Sequence, residues 1–138
     1  MNYLLDTNVI SELVIVKPNA NVIAWMNKIP SHAFFLSVLT MGEIRKGIEK
    51  ISDQKRKQKI MVWFEHELPR TFHNRILPVT LEITDRCGRL QYQAKRPLPA
   101  IDSLLAATAL HHDMTLVTRN TKDYTDCSGL EIINPWIV

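Results

Sequence analysis

Cysteine and glycine are scarce in this 138-residue chain, and no apolar run approaches the length of a membrane span. The two cysteines, Cys87 and Cys127, are far apart and lack C-x-x-C partners. A disulfide scaffold and a thiolate zinc site are therefore excluded, and both thiols are expected to be small buried hydrophobes in a reducing, cytoplasmic compartment. The four glycines, Gly42, Gly47, Gly88 and Gly129, are scattered. This removes the glycine-rich loop of a nucleotide-binding site. The longest apolar runs, Leu13 to Val16 and Ile60 to Phe64, fall far short of the roughly 18–20 residues that span a bilayer. Asp6 interrupts the apolar start and no basic region precedes it, so a secretory signal is not expected. Histidine offers no zinc alternative: His32, His66 and His73 lack ligand spacing, and His111 and His112 are adjacent on a helical pattern and cannot face the same way. Internal repeats, low-complexity tracts and linkers are also missing, which points to one domain over residues 1–138.

What the chain does have is a 46% hydrophobic composition, ordinary for a globular protein, and a formal net charge of +3 that is unevenly spread. Between residues 45 and 59 lie Arg45, Lys46, Lys50, Lys55, Arg56, Lys57 and Lys59 against only Glu49 and Asp53. The remainder is slightly acidic. Such a run is often a solvated helix face; beside suitable chemistry it is the footprint of a phosphate-backbone partner.

Short apolar runs alternate with longer helical patterns. Tyr3–Leu5, Ala33–Leu36, Arg75–Leu77, Thr115–Thr118 and Leu130–Ile133 read as strands. Helical periodicity covers Val9–Val16, Val22–Lys28, Met41–Ile51, Asp53–Leu68, Leu81–Ala94 and Ser103–His112. Strands separated by helices require crossover connections, so the expected fold is α/β, with a mainly parallel central sheet of about five short strands. In such sheets ligands bind beyond the carboxyl ends of the strands.

Polar clusters stand at four of those ends. Asp6 follows the first strand in Leu-Leu-Asp-Thr-Asn, where it either caps the next helix or projects into the crevice. Glu43 follows the second strand; with Thr40 it has the spacing of a capping box, and it is equally placed to face Asp6. Asp102 opens an apolar helix, with Ser103 as a competing cap. Asn120 and Asp123 follow Thr118 at the end of a strand, in positions that also suit a turn. Carboxylates about 5 Å apart repel by roughly 3 kcal/mol per pair at an effective dielectric near 20, more than the ~1 kcal/mol a cap returns. Convergence therefore requires a raised pKa, a basic neighbour or a cation, and a hard divalent ion with oxygen ligands fits best.

With these segments assembled, the sequence resembles the PIN-domain ribonucleases, and among them the VapC and FitB-like toxins of bacterial type II toxin–antitoxin systems. The resemblance runs from Leu4–Glu12 through Leu39–Gly47 and Ile101–Ala109 to Thr118-Arg119-Asn120 and Asn134-Pro135-Trp136, essentially the whole chain. It implies a three-layer α/β/α domain and a Mg2+- or Mn2+-dependent endoribonuclease leaving 5′-phosphate and 3′-hydroxyl ends. Its acidic core would be Asp6, Glu43 and Asp102, which also hold the metal, with Asn120 as the fourth catalytic position and Asp123 supporting it. Thr7, Asn8 and Thr118 would fix the acids, and the basic run from Arg45 to Lys59 would hold RNA. A cognate VapB-like antitoxin covering the site, and a homodimer or a toxin–antitoxin hetero-oligomer, are the implied partners.

Rival readings are a haloacid-dehalogenase-type phosphatase, a receiver-like signalling domain, and a weakly catalytic RNA- or protein-binding module of the same fold. The phosphatase needs a second acid where Asn8 stands, and the receiver needs paired acids after the first strand. The binding module is kept open by Asn120, which adds no charge.

Overall fold

The computed structural model describes residues 1–137. Five parallel strands, β1 (Tyr3–Leu5), β2 (Phe34–Ser37), β3 (Ile76–Leu77), β4 (Thr115–Val117) and β5 (Ile132–Ile133), form a sheet in the order β3-β2-β1-β4-β5. The first strand is thus the central one, with Tyr3 level with Phe34 on one side and Thr115 on the other.

Residue alternation along the strands builds two cores. Leu4 and Leu116 face one side, where they meet Ile83 and Leu90 of α6 (Leu81–Gln93) and Leu105 of α7 (Ala100–His111). Leu5 and Val117 face the other. There they pack with Val9 and Ile10 of α1 (Thr7–Ser11), Val22 of α2 (Ala20–Asn27), Ile44 and Ile48 of α3 (Val38–Glu49) and Ile60 of α4 (Gln54–Val62). Strands buried on both faces are what parallel crossover topology demands, and the result is the three-layer α/β/α arrangement.

Several local expectations are corrected. The helix expected over Val9–Val16 ends at Ser11, and the Glu12 carboxylate accepts from the Asn19 backbone N–H at 2.8 Å, closing a loop instead. The helix expected from Met41 begins at Val38, because Ser37 caps it by accepting from the Leu39 N–H at 3.1 Å. No Thr40–Glu43 capping box forms: Thr40 is fully buried in the first turn, and its hydroxyl has no hydrogen-bond partner. The pattern over Asp53–Leu68 is split into α4, a π-helical turn at Trp63–Glu67, and α5 (Leu68–Thr71). Pro69 explains the wider turn, since it lacks an N–H and its ring crowds the carbonyl four residues back. Pro99, not Asp102 or Ser103, stands at the N-cap of α7.

Arg75 organises the sheet's β3 edge. Its guanidinium donates to the carbonyls of Ser31 at 2.7 Å and Phe34 at 2.5 Å and to that of Thr71, and it lies over the Phe72 ring at 5.1 Å. At the opposite end of α7, Asp113 adopts a left-handed backbone with φ 54. The Met114 N–H bonds Ala109 O at 2.8 Å and the Asp113 N–H bonds Leu110 O at 3.2 Å, the paired bonds of a Schellman motif. No described helix is long and apolar enough to cross a membrane.

Candidate active site

Asp6 sits where β1 runs out. Its N–H still donates to Val117 O at 2.9 Å, as in a strand, while its Oδ1 accepts the Thr7 N–H at 2.7 Å and caps α1. Capping and projection into the crevice are therefore one arrangement. Oδ2 accepts from the Thr118 hydroxyl at 2.8 Å. That hydroxyl also accepts the Asn120 N–H at 3.1 Å and faces the Asn8 amide at 3.4 Å. The Asn8 carbonyl in turn accepts the Arg119 N–H at 3.2 Å. The side chain that disfavours the phosphatase reading thus ties the β4 exit to the start of α1.

Glu43 enters from α3, where its carboxylate accepts the Thr7 hydroxyl at 2.6 Å. Asp102 enters from the first turn of α7 and accepts the Tyr124 hydroxyl at 3.2 Å. Tyr124 is fully buried at the end of a 3-10 turn, Thr121–Tyr124, which also carries Asp123. Sequence reasoning missed Tyr124. Its signal is an aromatic residue directly after Asp123, in a segment whose polar residues alone suggest a site.

The acids sense one another. Burial pushes the Asp6 carboxyl above the ordinary range and nearby Glu43 adds to this, while hydrogen bonds from Thr118 and Thr7 pull it back. Burial likewise raises Asp102, opposed by the Tyr124 hydroxyl and reinforced by the charges of Asp123 and Asp6. Asp6, Glu43 and Asp102 each accept from at least one hydroxyl or amide donor. Among the described residues, no three Asp, Glu, His or Cys side chains form a closed ligand set. Mutually repelling, oxygen-only donors nevertheless suit a hard divalent ion, which commonly takes one or two carboxylates and completes its shell with water and phosphate.

The remaining candidates are distributed around this centre. Asn120 is exposed, and its backbone, not its side chain, is held by Thr118. Asp123 is the residue of that segment whose charge reaches Asp102. The basic run is divided. Arg45 is engaged by Glu65 at 3.0 Å and Glu49 at 3.9 Å and lies over Phe64 at 4.9 Å. Arg56 lines a groove of about 300 Å³ with Thr7, Glu43, Ile44, Ile48 and Ile60. Lys57 donates to the Glu49 carbonyl at 3.4 Å, and Lys46, Lys50, Lys55 and Lys59 are exposed.

The PIN domain family matches residues 3–125. The "VapC ribonuclease Y4jK" of Sinorhizobium fredii is 35% identical over 135 residues, covering 96% of each chain. The crystal structure of FitAcB from Neisseria gonorrhoeae superposes with a TM-score of 0.92 at 32% identity, covering 99% of both chains. A toxin–antitoxin complex from Klebsiella pneumoniae gives a TM-score of 0.71 at 25% identity, covering 97% of this chain and 98% of that one. A central parallel sheet, acids gathered at its carboxyl edge and near-full-length likeness to these proteins agree: the chain belongs to the PIN-domain family, alongside the VapC ribonucleases.

Proposed function

We propose that this chain, acting as one domain over residues 1–138, is the toxin of a type II toxin–antitoxin pair and a metal-dependent endoribonuclease of the cytoplasm. The observation that carries the reading is the approach of Asp6, Glu43, Asp102 and Asp123 from four chain segments, where Asp6 feels the charge of Glu43 and Asp102 feels those of Asp123 and Asp6. The relative named a ribonuclease and the solved toxin–antitoxin complex support it.

Asp6 would hold the metal directly, with Asp102 and Glu43 completing the site. Asp123 serves as the fourth acid in preference to Asn120, because its charge reaches Asp102. Mg2+ or Mn2+, when bound, supplies the Lewis acidity and activated water for phosphodiester hydrolysis, so no nucleophilic side chain is needed. Thr118 and Thr7 hold the Asp6 and Glu43 carboxylates in place, and Tyr124 holds that of Asp102. Arg56 and the exposed lysines of the basic run meet the RNA backbone, whereas Arg45 contributes less because two acids already engage it. The cognate antitoxin would cover the acids and the groove beside Glu43.

The test is incubation with single-stranded and structured RNA in Mg2+, in Mn2+ and in EDTA, with Asp6→Asn alongside. Cleavage is expected only for the wild-type chain with metal. Cleavage that survives EDTA or the substitution would overturn the reading. Co-expression with the product of the adjacent reading frame should yield a stable complex that does not cut.

A further inference from the structure

The basic run reaches the acidic site from the α3–α4 side only. At the other side β4 delivers Thr118 inward to Asp6, and the next residue, Arg119, is exposed. Its backbone is pinned, the N–H donating to Asn8 Oδ1 at 3.2 Å. Its guanidinium lies over the Trp136 ring, 5.4 Å from the centroid. Trp136 follows β5, the strand next to β4, and is itself anchored. Its backbone N–H donates to Asn134 Oδ1 at 2.9 Å, its carbonyl accepts from the Asn21 amide of α2 at 3.1 Å, and it packs, partly buried, against the core on the α1–α4 face of the sheet. Arg45, Arg89 and Arg96 are each engaged in ion pairs, whereas no carboxylate among the described residues lies within ion-pair distance of Arg119.

A guanidinium held over an aromatic ring loses rotamer freedom without losing its N–H donors. It remains a planar fork able to take two oxygens of one phosphate. Basic charge on both flanks favours a polyanion approaching clustered carboxylates, and on the α4 side Arg56 lines the groove beside Glu43. We propose that Arg119, positioned by Trp136, is a substrate-phosphate clamp, so that an RNA strand crosses the acids between Arg56 and Arg119. The assignment rests on the nuclease reading above.

The test measures binding of a fluorescein-labelled single-stranded oligoribonucleotide of mixed sequence by anisotropy, in EDTA and over a NaCl series. Cleavage of the same oligonucleotide in Mg2+ is followed in parallel. Arg119→Ala is expected to weaken binding about tenfold, the order for a lost charge-assisted hydrogen bond. It should lower the slope of log affinity against log salt by about 0.7, one phosphate contact on a single strand, and raise KM with kcat nearly unchanged. Arg119→Lys should restore the slope but only part of the affinity. Trp136→Leu should weaken binding while keeping the slope, and thermal melts check that each variant is folded. Arg70→Ala, at an exposed position on α5, controls for the loss of one charge. Arg119→Ala matching Arg70→Ala in affinity, slope and KM overturns the assignment. A wild-type chain that binds the oligonucleotide without cutting it removes the nuclease reading, and Arg119 is then judged by affinity and slope. A chain that binds no RNA removes both.

Discussion

The Thr118 hydroxyl donates to Asp6 Oδ2 at 2.8 Å across 112 residues of sequence, and both side chains are buried. With the Thr7 N–H on Oδ1, it fixes the plane of the carboxylate from both sides. Thr118→Val keeps the shape and removes the donor. It should lower single-turnover cleavage about 10- to 100-fold, the usual penalty for losing a group that orients a ligand. Urea denaturation should show a loss of about 1–3 kcal/mol from the carboxylate left short of a partner. Thr118→Ser should recover most of both; a Thr118→Val enzyme as active as wild type would refute the positioning role.

Asp6→Asn separates stability from activity. The wild-type carboxylate is buried and repelled by Glu43, so without metal the amide should raise the melting temperature by roughly 2–6 °C. Added Mg2+ should raise the melting temperature of the wild type and leave the variant unmoved. Equal metal-induced shifts in the two proteins would place the ion elsewhere.

Asp113 holds the left-handed position that ends α7, and it places a negative charge at the negative end of that helix. Both terms oppose the native residue. Asp113→Gly should therefore stabilise the fold by about 0.5–1 kcal/mol, and Asp113→Ala should not. Chemical denaturation of the two variants decides it.

His111 and His112 meet edge to face, 4.8 Å apart, at the end of α7. Burial, and then the charge of His111, hold His112 below the ordinary imidazole range. The unfolded chain then takes up this proton at a higher pH than the folded one, so stability is retained above the ordinary histidine value and declines as pH falls through it. His112→Gln should flatten the fall in unfolding free energy between about pH 7 and pH 5. A variant with the same pH slope as wild type would contradict this.

The sheet was legible in the sequence because its strands are apolar on both faces, so Leu4-Leu5 and Leu116-Val117 each supply one residue to each core. The acids were legible for a related reason, since each follows a strand or opens a helix at the carboxyl edge. Local choices between competing partners were less legible. Ser37 and Thr40 both suit an N-cap, and tertiary packing decides by burying Thr40 completely. Glu43 suits a capping box until Thr7 offers its hydroxyl from a helix 36 residues away. Tyr124 and the Arg119–Trp136 pair depend on segments brought together only by the strand order, which no local pattern encodes.

That strand order also sets a schedule. β1 emerges first in synthesis, yet one of its two neighbours, β4, begins only at Thr115. Until that segment has left the ribosome, the central strand lacks half its hydrogen bonds and Asp6 lacks its lock. Asp6, made first, thus gains its Thr118 donor only after the segments carrying Glu43 and Asp102 have been made.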